Sequence, residues 1–185
     1  LIFFILCPII LVGQGFVITG ADVNGEASND ESGYSVSMNA AGDRMAIGAK
    51  YNDGNGNNSG HVRVYALSSG SWTQLGSDID GEAANDRSGI SVSLNAAGNR
   101  VAIGAPYNDE NGSNSGHVRV YAYSDTAWTQ LGSDVNGEAS NDESGISVSM
   151  NAAGDRVAIG AYYNDGNRSN AGHTRVYAYS DTAWT

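Results

Sequence analysis

Short runs in which apolar residues alternate with hydroxyl-bearing or small residues recur along the chain, separated by clusters of Gly, Asn, Asp and Ser. In the middle of the sequence these runs are 90–94 (ISVSL), 100–105 (RVAIGA), 117–123 (HVRVYAY) and 127–131 (AWTQL). A two-residue period bounded by turn residues predicts β-strands, and no window shows the 3.6-residue period of an amphipathic helix. We therefore predict an all-β protein with essentially no helix.

The same four runs return every 56 residues, so the chain is a tandem repeat. Its copies span residues 20–75, 76–131 and 132–185, and the third copy stops within its fourth strand. Residues 16–19 (FVIT) stand 56 residues before the fourth strand of the first copy. We expect them to form a strand that completes the first blade-like unit.

Four short strands in each repeat are typical of a β-propeller blade. The predicted fold is a partial β-propeller of three consecutive four-stranded antiparallel blades, and a β-helix is the alternative. Closed propellers take about four to eight blades, so we expect a fragment of a larger ring. Its further blades would come from missing sequence, and another chain is the alternative source. Small residues in the second strand of each copy would let neighbouring sheets approach closely: Ala46, Gly48, Ala102, Gly104, Ala158 and Gly160.

Residues 1–12 (LIFFILCPIILV) are almost entirely apolar. The run is too short for a membrane span of about 20 residues but fits the apolar region of a signal peptide, which we predict at residues 1–15. A buried core strand is the alternative. Cleavage would remove Cys7, the single cysteine, and leave a chain without disulfides. We therefore expect a secreted or cell-surface protein with no membrane span in its mature chain.

Acidic residues outnumber basic ones by 20 to 9, and the formal net charge is −11. Binding to nucleic acid or to an anionic membrane needs clustered Lys and Arg, so the charge argues against both as partners. Divalent cations, in contrast, would be favourable counter-ions.

One acidic loop opens each copy with the pattern Asp-x-Asp/Asn-Gly-Glu. Calcium takes about six to eight oxygen ligands, and loops supply them by alternating carboxylates around a Gly turn. The loop therefore predicts Ca²⁺ as a cofactor, and a tight turn capped by its own Asp and Asn side chains is the alternative. The candidate ligands are Asp22, Asn24, Glu26, Asp30, Asp78, Asp80, Glu82, Asp86, Asp134, Asn136, Glu138 and Asp142.

The third strand of each copy places a His, an Arg and a Tyr on one face, which are His61, Arg63 and Tyr65 in the first copy. This stripe would contact a ligand or form a pH-sensitive interface. Alternatively, it would form a ladder between blades in which His61 or Arg63 binds a loop carboxylate. The repeated Trp would be either a platform for sugars or a hydrophobic anchor on the outer strand.

An active site normally needs one asymmetric constellation of nucleophile, base and stabilising group. In this chain nearly every reactive side chain occurs in triplicate, and none is paired locally in a nucleophilic arrangement. We therefore predict no catalytic residues and no enzymatic activity.

Three motifs in fixed order resemble the FG-GAP repeat: SGISVS (88–93), VAIGAP (101–106) and GHVRVY (116–121). The resemblance spans all three copies and implies the propeller found in integrin α-subunits and many secreted bacterial proteins. Ser-Gly replaces the family's Phe-Gly. The family's calcium loop, between the first two strands, is too short here to surround an ion, so that metal site is not carried over. The resemblance implies a scaffold for ligand recognition or adhesion outside the cell.

Together these observations predict a secreted or cell-surface propeller for binding or adhesion. Its partner would be a protein or a polysaccharide, recognised through loops on one face. The alternative is an accessory propeller of a larger secreted enzyme whose catalytic domain is absent from this chain.

Overall fold

The computed structural model describes residues 18–185. Within this range the chain forms fourteen β-strands and no helix, and hence no helix that could cross a membrane. The predicted signal peptide (1–15) and the first half of the predicted strand at 16–19 lie outside the described residues. Ile18 and Thr19, from the second half of that strand, do not belong to a strand.

Each copy forms one antiparallel sheet in which successive strands are neighbours. In each of the first two sheets, a short fifth strand also pairs with the third strand. The first sheet contains β1 (Ser35–Met38), β2 (Arg44–Ala49), β3 (His61–Ser68), β4 (Ser71–Gln74) and β5 (Ile79–Asp80). The second contains β6 (Ser91–Leu94), β7 (Arg100–Ala105), β8 (His117–Ser124), β9 (Ala127–Gln130) and β10 (Val135–Asn136). The third contains β11 (Ser147–Met150), β12 (Arg156–Ala161), β13 (His173–Ser180) and β14 (Ala183–Trp184).

The first strand of each sheet lies innermost, because β1 packs against β6 and β6 packs against β11. The order of pairing then places β4, β9 and β14 farther out. Sheets that stack side on along a line of first strands have the blade packing of a β-propeller.

The apolar side chains are buried between neighbouring sheets. Val62 and Val64 of β3 pack with Val101 and Ile103 of β7, and an equivalent layer forms between the second and third sheets. One sheet of four short strands encloses no core, so each blade buries its apolar face against a neighbour.

Equivalent positions are exposed where the described chain provides no neighbouring sheet. Val64 and Val120 are each 1% exposed, whereas the equivalent Val176 of the third sheet is 65% exposed. On the opposite face of the array, Val36 of β1 is 62% exposed, while its equivalent Val92 packs against the layer between the first two sheets. Burial at these positions therefore depends on the adjacent blade.

Polar and small residues also join the sheets. Ser35 Oγ donates a hydrogen bond to the carbonyl oxygen of Gly89 at 2.7 Å, and Ser91 Oγ donates one to Gly145 at the same distance. A Cβ built on Gly48 would lie 2.1 Å from the Gly89 carbonyl oxygen, so only Gly allows this approach. The hydroxyl-bearing and small residues of the predicted strands thus serve the contact between blades.

The predicted fold class is confirmed: the described chain is all-β, with three consecutive antiparallel sheets that pack as blades of a partial propeller. The two-residue strands β5 and β10 were not predicted. They pair with the third strand of the preceding blade and lie in the acidic loop assigned above to calcium. Ile79 and Val135 draw this segment into the sheet, since both are buried there.

Candidate functional site

Two loops meet at one end of every blade, because the first and third strands of an antiparallel sheet begin where the second ends. The leading loop precedes the first strand, at residues 25–34, 81–90 and 137–146. The middle loop joins the second and third strands, at residues 50–60, 106–116 and 162–172. The middle loop of one blade also bonds to the leading loop of the next, where Asn85 N donates to the Asn57 carbonyl oxygen at 2.8 Å. The loops therefore form a continuous row.

A buried Asp and Asn pair ties the two loops of each blade together. In the first blade, Asn52 Nδ2 donates to Asp30 Oδ2 at 2.9 Å. Equivalent pairs join Asp86 to Asn108 at 2.9 Å and Asp142 to Asn164 at 2.7 Å. Burial raises the pKa of Asp86, although the hydrogen bonds from Asn108 and the Ala83 amide act in the opposite direction. Three of the predicted calcium ligands are thus acceptors in buried loop contacts.

Left-handed backbone recurs beside these pairs. Asn85 has a φ of 71° and Arg87 a φ of 55°, and the equivalent residues of the other two copies share this conformation. Residues other than Gly seldom adopt it, and it is found where surrounding structure holds a side chain in a required direction. Here it places the side chains of Asn85 and Arg87 along an open pocket.

Three polar pockets lie along the row of loops, one in each copy. We call them the loop pockets; their volumes are about 480, 390 and 480 Å³ in chain order. Each is lined by a Tyr, an Asp and an Asn of the middle loop and by an Asn of the leading loop. These residues are Tyr51, Asp53, Asn58 and Asn29; Tyr107, Asp109, Asn114 and Asn85; and Tyr163, Asp165, Asn170 and Asn141. Sequence reasoning did not select these tyrosines, although the recurrence of Tyr-Asn-Asp after every second strand marked them.

Arg87 links the first two loop pockets. Its guanidinium carbon lies 5.2 Å from the ring centroid of Tyr51 and 4.6 Å from that of Tyr107. The other two copies carry Glu31 and Glu143 at this position. The pockets therefore share a shape but differ in charge.

The predicted stripe on the third strand faces the acidic loops. His61 Nδ1 lies 3.8 Å from Glu26 Oε2 and 3.7 Å from Asp78 Oδ2. We call these three residues the first His cluster. Glu26 and Asp78 come from the acidic loops of successive copies, and β5 pairing with β3 brings the second loop beside His61. His61 was not among the predicted metal ligands.

An equivalent arrangement forms between the second and third copies. His117 Nδ1 lies 3.7 Å from Glu82 Oε2 and 3.6 Å from Asp134 Oδ2. Glu110 of the middle loop joins them, and one donor atom from each of the four residues lies within 4.8 Å of all the others. We call these four residues the second His cluster. In the third copy, His173 Nδ1 lies 3.6 Å from Glu138 Oε2.

Burial determines the protonation of these clusters. It lowers the pKa of His117 to about 4, an effect to which Arg119 adds and which Asp134 opposes. Burial likewise lowers the pKa of His61. It raises the pKa of Glu82; Arg119 opposes this shift, and Asp134 adds to it. Both imidazoles are therefore neutral at pH 7.

The remaining predicted ligands have separate roles. The backbone carbonyl oxygens of Asn24 and Asp80 accept hydrogen bonds from Arg63 Nη2 and Arg119 Nη2, at 2.9 and 2.7 Å. Asp22 is exposed. The polar groups of the acidic loop therefore take part in the Asp–Asn pairs, the hydrogen bonds from Arg63 and Arg119, and the His clusters. Calcium binding by this loop stays a prediction.

The repeated tryptophans lie on the outer strands. Trp128 Nε1 donates to the Leu75 carbonyl oxygen at 2.7 Å, and its ring centroid lies 5.1 Å from that of Tyr123. Trp184 makes the equivalent bond to Leu131. This geometry supports the hydrophobic anchor and places these rings away from the loop pockets.

Solved structures with a similar arrangement of strands include enzymes. A Bacteroides fragilis protein with a proposed 6-phosphogluconolactonase activity matches 81% of this chain over 36% of its own, with a TM-score of 0.55 and 10% identity. The periplasmic gluconolactonase PpgL of Pseudomonas aeruginosa matches 85% of this chain over 41% of its own, with a TM-score of 0.52 and 13% identity. Hydrazine synthase of Kuenenia stuttgartiensis matches 92% over 38% of its own, with a TM-score of 0.53 and 8% identity. At these identities the likeness is one of fold, and this chain spans less than half the length of each structure.

The prediction that the protein has no enzymatic activity, which rested on the repetition of its reactive side chains, is wrong. Lactonases are among the structures that share this fold, so repeated sheets are compatible with an active site. The physical reason is visible at Arg87, where two other copies carry Glu. Equivalent positions therefore differ between copies, so repetition does not exclude the asymmetric constellation that an active site needs.

The sequence comparisons identify the repeat itself. No curated protein matches this chain significantly. The FG-GAP repeat profile matches residues 17–65 and 78–121, half of the chain. The connection between the first two strands is a tight turn, in which Asn39 Oδ1 accepts from the Asp43 and Arg44 amides at 3.1 and 2.9 Å. FG-GAP repeats occur in extracellular and periplasmic proteins, and the chain belongs to the FG-GAP repeat family as a β-propeller module.

Proposed function

We propose that the chain is a secreted or cell-surface recognition propeller that binds a polysaccharide across its row of loop pockets. The observation that carries this proposal is the recurrence of one pocket, with equivalent lining residues, in all three copies. A ligand built from repeating units is the chemistry that such a row of sites fits.

The lining residues have the chemistry that binds sugars. A Tyr ring offers an apolar face and a polar hydroxyl group, so it packs against the C–H face of a sugar and bonds to its hydroxyls. Asn and Asp side chains supply further donors and acceptors. Asp53 Oδ1 accepts from the Asn58 backbone amide at 2.7 Å, which fixes the carboxylate at the pocket that Asp53 lines.

Repetition would raise the affinity of a weak contact. Once a polymer occupies one loop pocket, its next units meet the adjacent pockets at a high effective concentration. The backbone bonds between middle and leading loops, such as Asn85 N to Asn57 O, keep this row in register. Arg87 between Tyr51 and Tyr107 favours an acidic or hydroxyl-rich unit at the first two pockets.

The test combines a polysaccharide array with calorimetry on an oligosaccharide length series. Affinity should rise with length until all three pockets are spanned. Tyr107→Ala should weaken binding about three- to tenfold, the loss expected for one aromatic contact. Arg156→Ala, at the opposite end of the third blade with a side chain 61% exposed, is the matched surface control.

Three results would overturn this proposal. The first is the absence of any polysaccharide ligand while a protein partner binds. The second is an affinity that does not depend on oligosaccharide length. The third is equal binding by the Tyr107→Ala and Arg156→Ala variants.

A further inference from the structure

We propose that the chain binds two divalent transition-metal ions of the Zn²⁺ class, one in each His cluster between successive copies. The first ion would be held by Glu26, His61 and Asp78. The second would be held by Glu82, Glu110, His117 and Asp134. This is a separate function from that of the loop pockets, and it uses different residues.

The distances within the clusters suit shared coordination better than direct bonding. The four distances from His Nδ1 to carboxylate oxygen lie between 3.6 and 3.8 Å, too long for a hydrogen bond. Two ligands that bind one Zn²⁺ tetrahedrally, with bonds of about 2.1 Å, lie about 3.4 Å apart. A small contraction of either cluster around an ion would reach that geometry.

Each histidine presents a buried nitrogen to its cluster. Within residues 18–185, Nδ1 of His61 and both ring nitrogens of His117 are buried without a hydrogen-bond partner. His61 and His117 are 1% and 0% exposed. A buried polar atom without a partner is destabilising, so these nitrogens require an explanation, and a metal bond supplies one for Nδ1 of each ring.

The carboxylates are held so that one oxygen of each faces the histidine. In the first His cluster, Gln74 Nε2 donates to Asp78 Oδ1 at 2.6 Å, and Arg63 Nη1 lies 3.3 Å from Glu26 Oε1. The other oxygen of each carboxylate is the one near His61 Nδ1. Outer contacts of this kind orient ligands in metal centres.

The second His cluster repeats this arrangement with its own residues. Gln130 Nε2 donates to Asp134 Oδ1, and Arg119 Nη1 lies 3.4 Å from Glu82 Oε1. Oδ2 of Asp134 and Oε2 of Glu82 again face His117 Nδ1. The carboxylates of the two His clusters are therefore oriented in the same way.

Charge also favours a cation at both positions. Each His cluster gathers two or three carboxylates around a single imidazole. In the second His cluster, Arg119, whose Nη1 lies 3.4 Å from Glu82 Oε1, is a single cation beside three carboxylates. A divalent ion would neutralise this excess and bind the free imidazole lone pair.

The donor set distinguishes among metals. Calcium takes oxygen ligands in about six- to eightfold coordination, whereas one imidazole with two or three carboxylates suits Zn²⁺ and its first-row neighbours. The clusters also differ from each other, because Gly54 occupies the position of Glu110. The second His cluster should therefore bind more tightly than the first.

The test is calorimetric titration of the chelator-treated chain with Zn²⁺, Ca²⁺ and Mg²⁺, together with Co²⁺ absorption spectroscopy. We expect two Zn²⁺ ions per chain and visible Co²⁺ bands of low-symmetry nitrogen and oxygen coordination. Glu82→Gln combined with Asp134→Asn should reduce the stoichiometry from two to one. Asp86→Asn removes a buried carboxylate of the same acidic loop that lies outside both His clusters, and it should leave two ions bound.

The second measurement exchanges Glu110 and Gly54, so that each variant carries the residue of the equivalent position in the other copy. Glu110→Gly should weaken the tighter ion at least about tenfold, and Gly54→Glu should strengthen the weaker one by a similar factor. Circular dichroism confirms that each variant is folded. The proposal is overturned if the folded chain binds no Zn²⁺ in the titration, if it binds Ca²⁺ in preference, or if the Glu82 and Asp134 changes leave the stoichiometry at two.

Discussion

The burial of apolar side chains between blades makes a sharp prediction at one repeat position. Val120 and Val176 are equivalent residues of the third strands of successive blades, 1% and 65% exposed respectively. Val120 packs in the layer against the third sheet. The same Val→Ala change at the two positions therefore separates the effect of a neighbouring blade from every effect of local sequence.

The expected magnitudes follow from the area that each side chain removes from water. Val→Ala deletes the equivalent of two methylene groups, about 1.6 kcal/mol of transfer free energy when fully buried. A residual cavity at Val120 adds to this, so Val120→Ala should lower the free energy of unfolding by about 2 kcal/mol. Val176→Ala should cost about 0.5 kcal/mol, because most of that side chain is already in water. The loss of strand propensity is common to both variants.

The assay is urea unfolding of both variants and the wild-type chain, monitored by tryptophan fluorescence. Equal losses of unfolding free energy in the two variants would refute the reasoning. If both losses were large, the face around Val176 would be covered in solution. If both were small, the sheets would not bury Val120 between them.

Three further predictions concern the packing of blades and loops. Gly104→Ala should destabilise the chain by more than about 2 kcal/mol, because its Cβ would lie 2.0 Å from a backbone oxygen of the next blade. Gly160→Ala should cost less, because its Cβ would meet mainly a Ser hydroxyl. Trp128→Phe should cost about 1 kcal/mol, as it removes the indole bond to the preceding copy and keeps most of the apolar contact. Asp86→Asn should stabilise the chain at pH 7, because burial raises the pKa of this carboxyl in the folded state. Below the unfolded pKa of about 3.9, protonated Asp86 is favoured in the folded chain, and this stabilisation is lost as the pH rises through the folded pKa. The advantage of the Asp86→Asn variant over the wild-type chain in unfolding free energy should therefore shrink in acid.

Chemical denaturation checks all three, with pH as a second variable for Asp86→Asn. Asp125→Asn, in an exposed turn, controls for the loss of one negative charge. Equal stability changes for the two glycine variants would contradict the close approach of blades. An unchanged Trp128→Phe variant would contradict the anchor, and an Asp86→Asn variant less stable than wild type at pH 7 would show that the buried charge stabilises the loops.

The strands were predictable because their side chains obey a two-residue period that local sequence displays. The second and third strands of the middle copy, at 100–105 and 117–123, were placed within one residue of the observed bounds. The strands β5 and β10 were not predictable in this way. Each has two residues, and each exists because Ile79 or Val135 is buried against the preceding blade.

The candidate sites were predictable in residue type and not in grouping. Sequence reasoning selected Glu26 and Asp78 as metal ligands, yet it assigned them to separate loops. It placed His61 in a different feature, the stripe on the third strand. Pairing of β5 with β3 brings these three residues together across two copies.

The amino-acid sequence by itself determined the period, the strand types and the membership of the FG-GAP family, because these depend on local patterns that repeat every 56 residues. Tertiary structure alone decided which face of each sheet is buried, which loops share a pocket and which donors meet around His61 and His117. The physical reason is that a thin sheet encloses no core. Its buried contacts and its functional groupings form between blades, across a sequence separation that no local pattern encodes.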